Sequence, residues 1–239
     1  AEQISGADVV VHSSAVTAAN PELQAARSLG VPVIRRAEML AELMRLKYGI
    51  AVAGSHGKTT TTSLCAAVLE AGSLDPTVVV GGRALATGAN AILGRGEYMV
   101  AEADESDGSF LQLVPTIAVV TNLDLEHVDF YPDLPALRDA FRRFLAKVPF
   151  YGACILCSDD PEVRALASSL DRKIVTYGLG SEAEVHGKPL DATGSRALVS
   201  VNGRELGELE LGMPGLHNLN NALAALAVGM ELGISFGVA

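Results

Sequence analysis

The chain has 239 residues, 49% of them apolar but only 5% aromatic and none tryptophan, so one large or two small domains must be cored with Ala, Val and Leu, as in a parallel sheet covered by helices. A net charge of −10 argues against a nucleic-acid or anionic-membrane partner, and any anionic ligand must be held by a local concentration of N–H groups, cations and metal. No apolar run reaches the ~18 residues of a membrane span and no basic segment precedes an apolar core at the start, so a cytoplasmic protein without membrane insertion is expected.

In chain order, residues 8–12 read as a strand, 21–29 as a helix stopped by Gly30, and 31–34 as a second strand. This is the rhythm of a parallel α/β sheet, but two strands cannot close a core, so the chain reads as starting inside a domain. Ser13 and Ser14 lie in the turn after the first strand, at the carboxyl end where open α/β sheets bind ligands, and are candidate substrate contacts. The competing reading is a pair of solvated loop serines. Residues 38–44 have helical spacing and form a connector to the next strand.

The apolar run 49–53 ends in Gly54-Ser55-His56-Gly57-Lys58-Thr59-Thr60 and opens into a helical pattern. A buried strand that turns through glycines into a helix directs successive N–H groups and the positive helix end at one point, which suits a polyphosphate. All seven residues are therefore candidate nucleotide contacts, with Lys58 as the cation for the terminal phosphates and the Thr59 hydroxyl as a magnesium ligand. The general phosphate-loop pattern calls for glycine where Val52 stands, so this is a shortened variant.

Further short buried strands are predicted at 77–80, 98–101, 116–121, 153–157 and 173–177, with helices over 134–148 and 161–170, which makes a doubly wound sheet. Strand 98–101 runs into Glu102-Ala103-Asp104-Glu105-Ser106-Asp107, and strand 116–121 into Asn122 and His127, at the same sheet edge as the phosphate loop. Carboxylates at the end of an apolar strand need partners, and magnesium beside a triphosphate is one that fits. Cys154 and Cys157 form a C-x-x-C without a second Cys/His pair, and read as part of a buried strand rather than a metal half-site. Alternation around Asn202-Gly203 predicts a hairpin, and a helix over 219–232 closes the chain. Asn218 and Asn221, three apart, can present their amides to a purine edge, while Asn218 can equally cap the helix.

With these residues in place the sequence resembles the Mur ligase family, through Arg35-Arg36-Ala37-Glu38-Met39-Leu40, the loop at Gly54, the acidic run from Glu102, the run from Thr121 to His127, Pro149-Phe150-Tyr151-Gly152, and Pro214 to Asn221. The resemblance implies ATP-dependent amide formation through an acyl phosphate. It points to the branch that joins L-alanine to UDP-N-acetylmuramate in making peptidoglycan for the cell wall. It would place Lys58 on the β- and γ-phosphates, Thr59 and Glu102 on one Mg2+, His127 on a second, Asn218 and Asn221 on the adenine, and Asn122 near substrate. Lys58, Glu102 and His127 would be the catalytic set. Ser55 stands where threonine is commonest, and Arg142 where sister ligases carry a carbamylated lysine.

The expected division is a partial Rossmann-like UDP-sugar domain over 1–36, a connector helix over 37–48, and a central ATP-binding domain over 49–239. The family's opening glycine-rich turn would lie before Ala1 and its amino-acid-binding domain after Ala239, so the chain by itself is expected to be inactive. Two other readings stay open: a ligase that recycles a whole murein tripeptide onto the same UDP-sugar, and an ATP-binding module without ligase activity.

Overall fold

The computed structural model describes residues 2–13, 15–81, 90–126 and 128–239. Strand β1 (Val10–His12) is followed by helix α1 (Pro21–Ser28), whose start is set by Asn20: its side chain accepts from the N–H groups of Glu22 and Leu23, and Pro21 fills the first turn where its missing N–H costs nothing. Strand β2 (Val33–Arg35) returns parallel to β1, and these two strands make a sheet of their own. Helix α2 (Arg36–Arg45) then leads into β3 (Tyr48–Ala53).

From β3 the chain winds through α3 (Lys58–Ala71), β4 (Thr77–Val79), β5 (Ala91–Ile92), β6 (Tyr98–Glu102), β7 (Ile117–Val120), α4 (Leu134–Leu145), β8 (Ala153–Cys157), α5 (Pro161–Ala167) and β9 (Ile174–Gly178). It continues through β10 (Val185–Pro189), β11 (Arg196–Val201) and β12 (Arg204–Glu210) to α6 (Leu216–Glu231). All ten strands from β3 onward form one sheet, in the order β12-β11-β10-β9-β8-β7-β3-β6-β4-β5. The strands from β4 to β10 in that order are parallel, and antiparallel pairing is confined to β5 at one edge and β11 and β12 at the other. This is the doubly wound, mainly parallel sheet with a small hairpin region that the sequence predicts.

Strand alternation divides the core in two. On one face Ile50, Val52, Val100, Val119 and Ile155 pack with α3 and α6; on the other, Ala51, Ala53, Met99, Val120 and Leu156 pack with α4. Phe110, in the short turn Ser109–Gln112, stacks at 5.1 Å centroid distance on both Phe141 and Phe144 of α4 and anchors the second layer. Cys157 belongs to the first layer and Cys154 to the second, because residues three apart on a strand face opposite ways. The C-x-x-C therefore cannot converge on one metal. Burial pushes the Cys154 thiol up to about 11, that of Cys65 to about 12, and that of Cys157 in the same direction.

Three elements go beyond the sequence reading, the first being the two-residue edge strand β5. Strand β10, Val-His-Gly-Lys-Pro, has no apolar run to announce it and forms by borrowing backbone partners, parallel to β9 and antiparallel to β11. Helix α6 begins at Leu216, a turn before the expected start, because Gly215, at φ +122°, lets the chain enter it directly and its carbonyl accepts from the Asn218 and Leu219 N–H groups. The hairpin turn is as predicted, with Asn202 and Gly203 both at positive φ (51° and 76°) between β11 and β12.

Candidate functional site

Strand β3 lies between β6 on one side and β7 on the other, so the loops that leave these three parallel strands are neighbours at one carboxyl edge. The chain moves outward from β3 to β4, returns to β6, and only then crosses to β7. The phosphate loop thus sits where the winding reverses, the place at which doubly wound sheets open a crevice.

The loop is braced by residues from the end of β7. The Asn122 amide oxygen accepts from the His56 N–H at 2.8 Å, and its NH2 donates to the His56 carbonyl at 3.1 Å. The Thr121 hydroxyl donates to the same carbonyl at 2.6 Å, and the Asp124 N–H donates to the Ser55 hydroxyl at 2.8 Å, which in turn reaches the Asp124 carbonyl at 3.0 Å. Asn122, a candidate substrate contact by sequence, therefore spends both ends of its amide on the loop. Ser55 keeps the hydroxyl that this brace uses.

Glycine is required at 54 and 57 for separate reasons. Gly54 has φ +130°, and a Cβ there would collide with the Thr121 hydroxyl. Gly57 has φ +80° and caps α3, and a Cβ there would lie 2.6 Å from the Asn221 side-chain oxygen. Asn221, buried near the start of α6, thus packs on the turn that aims the α3 N–H groups. Asn218 is partly exposed one turn away, with its NH2 bonded to the Pro214 carbonyl at 2.9 Å.

The cationic and anionic groups meet at the start of α3. Thr59 donates to Glu102 Oε2 at 2.8 Å, and the same oxygen accepts from the Gly81 N–H at 2.9 Å. A hydroxyl and a carboxylate held together at a helix N-terminus are hard oxygen donors of the kind Mg2+ takes, so these residues fit the cation the family implies. Thr60 follows in the first turn of α3 and is partly exposed. His56 is exposed, with Nε2 3.2 Å from Asp124 and 3.7 Å from Glu126.

Lys58 is not free. Its ammonium donates to the Gly54 carbonyl at 2.7 Å, the Ser55 carbonyl at 3.2 Å and Glu105 Oε1 at 3.0 Å. Glu105 is 2% exposed, and burial raises its pKa against the opposing pull of Lys58. Its backbone carbonyl accepts from the buried Tyr131 hydroxyl at 2.8 Å. Burial and the neighbouring Glu105 charge push that phenol up to about 12, so it stays a donor. Sequence reasoning placed Glu105 in an acidic run in search of partners but assigned it no role; Lys58, 47 positions earlier, is the partner.

Beside these groups a cleft of roughly 450 Å³ is lined by Arg35 at the end of β2 and Arg36 at the start of α2, by Gly81, by Glu102 at the end of β6, and by Asp104 and Asp107 after it. Ser13 lies in the loop that follows β1, in the small separate sheet. Ser14 and His127, both predicted site residues, fall outside the described residues. Among the described residues no three His, Cys, Asp or Glu side chains cluster as a metal site, and no helix is long and apolar enough to cross a membrane.

Residues 52–229 match the Mur ligase middle domain and residues 1–48 the Mur ligase family catalytic domain. The UDP-N-acetylmuramate–L-alanine ligase of Desulfosudis oleivorans is 54% identical over 239 residues, 99% of this chain and 52% of that protein. The enzyme of the same name from Syntrophobacter fumaroxidans is 55% identical, again over 99% of this chain and 51% of its own. The chain thus spans about half the length of the curated relatives it matches. Among solved structures, a UDP-N-acetylmuramate:L-alanyl-γ-D-glutamyl-meso-diaminopimelate ligase from Neisseria meningitides superposes with TM-score 0.84 at 27% identity, covering 96% of this chain and 75% of that one. The UDP-N-acetylmuramate–alanine ligase of Thermotoga maritima gives 0.79 at 31%, covering 95% and 51%. With the family's middle domain matched over residues 52–229, most of this chain, and the glycine loop after β3 at the switch point of a doubly wound sheet, the chain belongs to the Mur ligase family.

Proposed function

We propose that the chain supplies the ATP-handling part of a ligase that joins L-alanine to the lactyl carboxylate of UDP-N-acetylmuramate in building peptidoglycan. The observation that carries the choice of substrate is the 54–55% identity, across nearly the whole chain, to proteins bearing that name. The chemistry rests on the loop. The muramoyl carboxylate attacks the γ-phosphorus of ATP and ADP leaves; the alanine amine then attacks the acyl phosphate carbonyl, losing a proton as phosphate departs.

The first of these steps asks little covalent work of the protein and much placement of charge. The N–H groups of residues 54–60 would hold the phosphates, Lys58 would balance charge on the transferring group, and Asn218 and Asn221 would face the adenine. Thr59 and Glu102 would hold a divalent cation, which when bound neutralises phosphate charge; His127 would hold a second. Arg35 and Arg36, in the cleft beside Glu102, have the charge to receive the anionic UDP-sugar, with Ser13 and Ser14 as further contacts and Asn122 kept to bracing the loop. We assign residues 1–36 to the UDP-sugar domain, 37–48 to a connector, and 49–239 to the ATP domain.

A second reading, the recycling of murein tripeptide onto the same sugar, draws on the TM-score of 0.84 with the Neisseria enzyme. The two separate in one assay. Full-length protein is given ATP, magnesium, UDP-N-acetylmuramate and either L-alanine or the tripeptide, and phosphate and ligated product are measured. Alanine-dependent turnover supports the first reading. Turnover with tripeptide alone replaces it, and ATP binding without turnover on either leaves a nucleotide-binding module.

A further inference from the structure

An ammonium has three N–H donors, and those of Lys58 are all engaged, by the Gly54 and Ser55 carbonyls and by Glu105. Two of these acceptors belong to the loop that the lysine serves. The third arrives from the loop after β6, carries a full charge, and is itself buried, with the Tyr131 hydroxyl fixing its backbone carbonyl. A phosphate oxygen can take a strong hydrogen bond from Lys58 only by displacing one of the three. Glu105 is the acceptor that can be given up without opening the phosphate loop.

We propose that Glu105 is a positioning residue that latches the phosphate-loop lysine: its carboxylate holds Lys58 until the terminal phosphates of the nucleotide take the carboxylate's place. This rests on the reading of the loop as an ATP site. The exchange makes and breaks hydrogen bonds only, with no covalent or proton-transfer step. It has a thermodynamic consequence. Nucleotide binding is reduced by the fraction of molecules in which Lys58 is latched, and a ninety-per-cent latched population corresponds to about a tenfold penalty. The penalty falls on nucleotides whose phosphates reach the lysine and spares those that do not.

The test is calorimetric titration of the chain with ATP, ADP and AMP in the presence of magnesium, for the wild type and for Glu105→Gln. The expected result is that Glu105→Gln binds ATP about tenfold tighter than the wild type, while AMP binding is unchanged. Glu105→Asp, which keeps the charge but draws it back by one methylene, should shift ATP in the same direction by a smaller factor, and serves where the glutamine variant does not fold. A Glu105 with a merely structural role would change all three nucleotides alike. Wild-type binding of ATP with unchanged or weaker binding in both variants overturns the latch and leaves the ATP site standing. A wild type that binds none of the three overturns both.

Discussion

Lys58 with Glu105 and Arg196 with Glu208 are both cation–carboxylate pairs, but they occupy opposite regions of the sheet. The first lies at the carboxyl edge of β3 and β6, with side chains 14% and 2% exposed; the second lies across the outer hairpin of β11 and β12, with side chains 54% and 56% exposed. At the hairpin, water solvates either partner when the other leaves, and the pair serves mainly to keep charge on an exposed edge strand that would otherwise invite further pairing. At the loop both side chains are largely withdrawn from solvent, so each charge depends on the other and on fixed backbone groups. Nearly identical chemistry is dispensable in one region and a constraint in the other, and the constrained pair is the one beside the proposed phosphate site.

The sharpest way to break this comparison is Lys58→Ala. On the proposed function it should lower the rate of phosphoryl transfer by about 10²–10³, measured as phosphate release in the alanine ligation assay. It should also lower the urea midpoint, because Glu105 loses the cation beside it. Adding Glu105→Gln to Lys58→Ala should recover much of that stability and none of the activity. Near-normal turnover in the single variant would remove the loop from the mechanism.

Gly57→Ala comes next. It places a side chain at φ +80° and a Cβ 2.6 Å from Asn221, so a loss of about 1–3 kcal/mol in urea is expected, with weaker ATP binding by calorimetry. Unchanged ATP affinity would show that the α6 contact does not shape the loop. A smaller effect, confined to metal dependence, is expected of Glu102→Gln, which keeps the shape but not the charge. The magnesium concentration for half-maximal activity should rise roughly tenfold with the thermal midpoint unmoved. A superimposable magnesium titration would make Glu102 a purely structural partner of Thr59 and Gly81. Least of all is expected from Arg196→Ala, where nucleotide binding and the urea midpoint should match the wild type; a clear loss there would erase the distinction between the two pairs.

The phosphate loop was legible from the sequence because it is local. Strand, glycine turn, lysine and helix start fall within about a dozen consecutive positions, and each is required by backbone geometry that a neighbour cannot supply. The hairpin at Asn202-Gly203 was legible for the same reason. Less legible were elements whose cause lies elsewhere in the chain. Strand β10 forms because β9 and β11 offer it backbone partners, and the start of α6 is decided by Gly215 rather than by the apolar pattern further on. The sequence offers Asn122 and Asn221 as ligand contacts, but only the fold shows that Asn122 also braces the loop backbone and that Asn221 packs beside Gly57.

Composition and periodicity therefore determined the class of fold, since short apolar strands poor in aromatics suit a sheet covered on both faces, and the glycines determined the backbone turn of the loop, since only glycine tolerates it. The tertiary structure decided which charges meet. Whether Glu105 faces solvent, a metal or Lys58 depends on strand order, which brings the loop after β6 beside the loop after β3 although 47 residues separate them. No local pattern encodes that neighbourhood, because it arises from the packing of the whole sheet, and the low-dielectric burial that gives the pair its force exists only once that packing is complete.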